Sequence, residues 1–215
     1  MEKFCRSLHW IPAICMLSSC ATQRPFSAVE TGRRIVAAAE WGGTPIPDQA
    51  RPRRHTVRLL TLHHGGEDFP AGRDVPQYLR NLQAWSRRDK KWADIPYHFV
   101  IDLQGRTYAC RPLEFAGDTN TEYDPGGHAL VCVLGNYDVI TPSPQQLRAV
   151  EDLFAMLCTK FVLGPEAIAS HMDYSSQTAC PGRSLYARLA SGEIQAAVRQ
   201  RLAGMGKTGR STPPG

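Results

Sequence analysis

The stretch "TLHHGGEDFP", residues 61–70, sets two histidines side by side at the end of an apolar run. That run, "HTVRLLTLH" over 55–63, is β-prone and reads as a central strand. Imidazole is a costly way to finish a buried strand unless its nitrogens are held, because a buried polar group needs a partner. In open α/β sheets, ligands gather beyond strand ends. His63 and His64 therefore stand where a site is expected. Strand alternation sends neighbouring side chains to opposite faces, so only one of the two faces such a site. The spacing alone does not say which.

Working outward, residues 74–88 ("DVPQYLRNLQAWSRR") place Tyr78, Leu79, Leu82 and Trp85 at helical spacing. "YHFVIDLQGRTYACR" (97–111) reads as a β-hairpin turning at Gln104-Gly105, and "ALVCVLG" (129–135) as another buried strand. Ser143-Pro144-Gln145-Gln146 is a helix start, with Ser as N-cap, Pro at N1 and Gln at N3 completing a capping box. Leu147, Val150, Phe154, Leu157 and Phe161 then mark one helical face. "TGRRIVAAAEW" suggests a short helix, "GGTPIPDQARPRR" irregular chain, and 193–203 a basic helix. No internal repeat is present. Strands interleaved with helices predict a single α/β domain, a central mixed β-sheet flanked by helices. The 215 residues suffice for one such core.

The first residues do not belong to that body. Lys3 and Arg6 precede an apolar stretch from Leu8 to Leu17, too short to span a bilayer, which reads as a signal peptide. Leu17-Ser18-Ser19-Cys20 resembles a bacterial lipobox, which makes Cys20 a lipidation site. The chain thus divides into a signal peptide (1–19), an N-terminal linker or extension (20–54), the folded domain (55–203) and a tail (204–215) whose Gly, Pro, Ser and Thr content predicts disorder. Of seven cysteines, Cys110, Cys132, Cys158 and Cys180 remain in an oxidising compartment, where four thiols allow three complete pairings. The net charge of +5 is spread evenly, which argues against a dedicated nucleic-acid surface but favours anionic polymers or lipid headgroups.

"SHMDYSSQTACPG" (170–182) has no strong periodicity and reads as loop, yet it offers His171, Asp173 and Cys180 within one segment. Imidazole nitrogen and thiolate sulfur are preferred zinc ligands, and catalytic zinc sites commonly use three protein ligands. A histidine from the 63–64 pair would complete such a set. By spacing alone, a disulfide to Cys180 and a surface His171 explain the segment equally well.

"LHHGG" after a strand, "WADIPYHFVIDLQGRTY", "ALVCVLGNYD" and "H…TACPG" occur in an order that resembles the type-2 N-acetylmuramoyl-L-alanine amidases. This superfamily also contains the peptidoglycan recognition proteins and the T7-like phage lysozyme. The resemblance covers residues 55 to 190. It implies a Zn2+ site formed by His63, His171 and Cys180, with His64 pointing away. It implies that Tyr97 reaches the reacting carbonyl and that Thr178 contacts substrate or oxyanion. Trp92 and Arg111 become substrate-binding candidates, and Asp173 an outer partner of the metal ligands. The sequence also departs from the family pattern. The interval from His171 to Cys180 is about one residue longer than in animal members. Cys132 stands where one bacterial branch has a catalytic Glu, which leaves the general base open. Lys91 replaces a common Gly before Trp92. His128 reads as a loop residue near the cleft, without a role.

The implied activity is zinc-dependent hydrolysis of the amide between N-acetylmuramic acid and L-alanine in peptidoglycan or muropeptides. A non-catalytic peptidoglycan receptor and a zinc peptidase cutting within the stem peptide are the alternatives; receptors of this kind generally lose a ligand, and the chain lacks HExxH. The implied location is the periplasm, lipid-anchored, with Ala21 after Cys20 compatible with outer-membrane sorting.

Overall fold

The computed structural model describes residues 34–208; the expected signal peptide (1–19), the expected lipidation site Cys20 and residues 209–215 lie outside the described residues. Six strands form one sheet: β1 (Ile35–Val36), β2 (Leu59–His64), β3 (Phe99–Ile101), β4 (Thr107–Ala109), β5 (His128–Val133) and β6 (Ile168–Ser170). Their order is β1-β4-β3-β5-β2-β6. Only β3 and β4 run antiparallel, as the hairpin at Gln104-Gly105 demands, so the sheet is mixed. The turn requires its glycine. Gly105 has φ +76°, and a Cβ there would lie 2.5 Å from the Gln145 carbonyl oxygen.

Five helices cover the sheet: α1 (Ala38–Trp41), α2 (Val75–Arg88), α3 (Pro144–Phe161), α4 (Arg183–Ala190) and α5 (Glu193–Thr208). Alternation along the strands sorts the two cores. Leu60, Leu62, Phe99, Ile101, Val131 and Val133 pack with Val150, Phe154 and Leu157 of α3 and with α4 and α5. Val100, Tyr108 and Cys132 pack on the other side with Trp41, Leu79 and Ile95. Residues Val150, Phe154 and Leu157 are fully buried, each contributing about 1.5–3 kcal/mol by the area removed from water. Emptying the largest, Phe154→Ala, would cost about 3–5 kcal/mol. The helix starts are fixed locally. Asp74 accepts from the Gln77 N–H at α2, and Ser143 and Gln146 cap each other reciprocally at α3.

Several expectations shift. The paired strand begins at Leu59 rather than at residue 55, because Arg54 bridges to Phe115 and His55 donates its backbone N–H to Glu114. The short helix in "TGRRIVAAAEW" contracts to α1: Ile35 and Val36, both β-branched, pair with β4 instead. His128 is not a loop residue; it heads β5 and is buried against Thr61, its Nδ1 2.8 Å from the Thr61 hydroxyl. The segment 170–182 is not wholly loop, since His171–Asp173 form a 3₁₀ turn directly after β6. Helix α5 continues through Gly204 to Thr208, past the point where composition predicts a disordered tail. The cysteines Cys110, Cys132, Cys158 and Cys180 are all free thiols.

Candidate metal centre

His63 is the last residue but one of β2, on the face opposite Leu62, which places it on the α2 side, in register with Cys132 of β5. His171 follows the neighbouring strand β6, which pairs with β2 up to Leu62 and Ser170. The chain then turns back and delivers Cys180, whose carbonyl accepts the Met172 N–H at 2.9 Å. The ligating atoms of His63, His171 and Cys180 all lie within 4.8 Å of one another. They form one wall of a cleft of about 390 Å³ that also includes Trp92, Tyr97, Thr121 and Thr178.

His171 and Cys180 are each oriented by specific contacts. His171 Nε2 lies 2.8 Å from the Thr121 hydroxyl and 3.4 Å from that of Thr119, which leaves Nδ1 for a ligand. The Tyr123 ring packs against His171 at 5.0 Å between centroids, while the His63 ring lies 4.7 Å away on its own side. Cys180 Sγ accepts the backbone N–H of His64 at 3.3 Å. The His64 ring is outside the cluster, as alternation implies; its Nδ1 accepts the Tyr137 N–H. His64 thus serves the centre through its backbone.

The remaining candidates divide. Tyr97 and Thr178 both line the cleft, with the Tyr97 ring 5.3 Å from that of His63. Thr178 Oγ1 accepts the Cys180 N–H at 3.1 Å, which leaves its own proton to donate. Trp92 also lines the cleft. Arg111 is buried in the wall. Its guanidinium donates to the carbonyls of Ile95 (2.9 Å) and Asp94 (2.8 Å), to that of Ala116, and to Asp118, so most of its donors brace the wall. Asp173 is not a partner of the ligand rings either. Its carboxylate accepts from the Ser170 N–H and hydroxyl, both at 2.7 Å, and from the Tyr186 hydroxyl, and so shapes the turn that carries His171.

Thr119, Thr121 and Glu122 were not singled out by the sequence. Glu122 accepts from Ser175 Oγ (2.6 Å) and the Ser176 N–H (3.1 Å), tying the 118–123 loop to the segment that carries Cys180. Their only signal is a Thr-x-Thr spacing in a polar loop, and its value depends on a contact with His171 far along the chain.

The electrostatics suit a cation. Burial, and then the neighbouring His171, hold His63 well below the usual imidazole range, and burial also lowers His171, so both rings are neutral as ligands must be. Burial pushes the Cys180 thiol up to about 12. Only a positive charge beside it would ionise it at neutral pH. Burial also raises Tyr97 well above the ordinary phenol value, so it stays a proton donor. Geometry agrees. His63 Nδ1 and Cys180 Sγ are 3.6 Å apart, and Zn–N and Zn–S bonds of about 2.0–2.1 and 2.3 Å at a tetrahedral angle predict about 3.5 Å. The other nitrogen, Nε2 of His63, is buried without a hydrogen-bond partner among the described residues. The donor set and the Nδ1–Sγ spacing fit zinc.

The family described as N-acetylmuramoyl-L-alanine amidase matches residues 53–183. Peptidoglycan recognition protein 1 of Mus musculus is 28% identical over 181 residues, covering 83% of this chain and 98% of that protein. The N-acetylmuramoyl-L-alanine amidase of Homo sapiens is 26% identical; the match covers 81% of this chain but only 31% of the human protein. The crystal structure of drosophila peptidoglycan recognition protein SD superposes with a TM-score of 0.63 at 25% identity, covering 73% of this chain and 93% of that one.

Proposed function

This chain belongs to the N-acetylmuramoyl-L-alanine amidase family, and we propose that it hydrolyses the amide joining the lactyl group of N-acetylmuramic acid to L-alanine, in peptidoglycan or in muropeptides released from it. The observation that carries this reading is the His63–His171–Cys180 cluster within 4.8 Å in the wall of an open cleft. His63, His171 and Cys180 would hold the zinc, which when bound would supply Lewis-acid polarisation of the carbonyl and a water of pKa lowered towards about 7.

The chain's own residues do the rest. Tyr97 and Thr178 both line the cleft, the Tyr97 hydroxyl in contact with the Cys132 thiol, and both are the donors to the carbonyl oxygen as negative charge develops there. The His64 N–H spreads the charge of the Cys180 sulfur. Thr121 fixes the ring of His171. Cys132, buried and with its thiol pushed well up by that burial, is not a base at neutral pH. Trp92 packs the cleft wall that receives the peptide arm.

A receptor without activity is disfavoured because His63, Tyr97, His171 and Cys180 are all present. The protein is further assigned to the periplasmic face of the outer membrane, anchored by lipid on Cys20. The lipobox-like Leu17–Cys20 supports this. Acyl chains contribute about 0.8 kcal/mol per buried CH₂. Cys20→Ser should release the protein from membranes; retention would remove the anchor. For the activity, mass analysis of muropeptides incubated with the protein should show intact stem peptide with a free alanine amine. Shorter peptide fragments would instead favour the peptidase.

A further inference from the structure

Cys132 is a buried thiol with no part in the chemistry described above, yet it lies beside the metal centre. It pairs in register with His63 across β5 and β2, so both side chains project from the α2 face of the sheet. It is 1% exposed and packs in the cluster that holds Val100, Tyr108 and Leu134. Tyr97 stands just before β3, packs against that same cluster, and lays its ring 5.3 Å from that of His63. The Tyr97 hydroxyl thereby meets the Cys132 thiol behind the cleft wall.

Burial keeps both groups protonated at neutral pH. Each then carries a proton to give and lone pairs to accept one, so their contact runs in either direction. A carbonyl oxygen gaining negative charge is a stronger acceptor than a neutral thiol. When the phenol turns its proton to such a carbonyl, its own lone pairs are left facing the sulfur. The S–H then donates to them, and each link of such a chain strengthens the next. No proton changes owner in this arrangement.

We propose that Cys132 is a positioning residue for the amide hydrolysis: its S–H donates to the Tyr97 oxygen and aims the phenol proton into the cleft, at a carbonyl lying beside His63, His171 and Cys180. The inference deepens the amidase reading and rests on it. Cys132 acts through Tyr97 alone, since it belongs neither to the metal-ligating cluster nor to the cleft lining.

The test compares Cys132→Ala and Cys132→Ser in the zinc-loaded protein, each alone and combined with Tyr97→Phe, on a muramyl peptide. Serine keeps a donor at the same place, and alanine removes it. Cys132→Ala should lower kcat by about threefold to tenfold, the span of one net hydrogen bond, with KM and zinc content unchanged. Cys132→Ser should recover most of that loss. In the Tyr97→Phe background neither variant should change kcat, because the phenol through which Cys132 acts is gone. No loss in Cys132→Ala, a loss of equal size without the Tyr97 hydroxyl, or a serine variant no better than alanine overturns the proposal. A second readout needs no turnover. Magnetic resonance of protein isotope-labelled at tyrosine Cζ reports hydrogen bonding at each phenol, and the Tyr97 signal is the one that Tyr97→Phe removes. It should move in Cys132→Ala and return towards its place in Cys132→Ser; a signal unmoved in Cys132→Ala overturns the contact. If no muramyl peptide is cleaved but the signal moves and returns, the amidase reading fails, while Cys132 still stands as the residue that positions the Tyr97 hydroxyl.

Discussion

The Thr121 hydroxyl and the Nε2 of His171 lie 2.8 Å apart, and this contact decides which nitrogen of the ring is left for a metal. Thr121→Val keeps the shape and removes the partner. Zinc affinity should fall about 10–100-fold, as is usual when a ligand loses its outer hydrogen bond. Chelator competition measures it; an unchanged affinity would mean that Thr119 alone, at 3.4 Å, holds the ring.

Cys180→Ala should strip both zinc and activity, because it removes one of three ligands and the sulfur that receives the His64 N–H. Metal analysis and turnover check it together. Retained zinc with normal turnover would defeat the ligand assignment.

Tyr97→Phe should leave zinc content and folding intact and lower kcat by about 10²–10³, the usual loss for one oxyanion donor. The Tyr97 ring packs near His63, and phenylalanine preserves that contact. A loss confined to KM would make Tyr97 a substrate contact instead.

Acid should destabilise the fold through buried neutral histidines away from the metal cluster. His98 is fully buried, accepts the Leu130 N–H on Nδ1, donates from Nε2 to the Phe115 carbonyl, and is lowered by burial to about 3. Its unfolded value is about 6.5, so below that pH the unfolded chain binds the proton first. The stability tied to His98 is complete above about pH 6.5 and is lost progressively down to about pH 3, by up to about 1.4 kcal/mol per pH unit. Denaturant melts between about pH 7 and 4 should show this slope. His98→Gln should be less stable at neutral pH and shallower on acidification. A flat profile in the wild type would contradict the burial argument.

Local chemistry made much of this fold legible. The Ser143-Pro144 cap, the glycine hairpin at 104–105 and the apolar run into His63 act within a few residues; the cap and the hairpin stand where the sequence places them, and the strand forms with its start moved to Leu59. The three ligands were legible only through the family resemblance. What stayed hidden depends on contacts across long separations. Arg111 looks like a free cation until Asp94, Ile95, Ala116 and Asp118 close around it. Ile35 and Val36 look like the start of a helix until β4 offers them an edge. Thr121 is an ordinary loop threonine until β6 brings His171 to it.

Zinc titration of the metal-stripped protein, with muropeptide cleavage followed by mass, bears on the amidase assignment more directly than any variant. Activity should rise to a plateau at one zinc per chain, as a single three-ligand cluster requires, and the product should be intact stem peptide beginning with alanine. A chain that takes up one zinc and binds the muropeptide without releasing peptide would contradict the assignment and leave a receptor in its place.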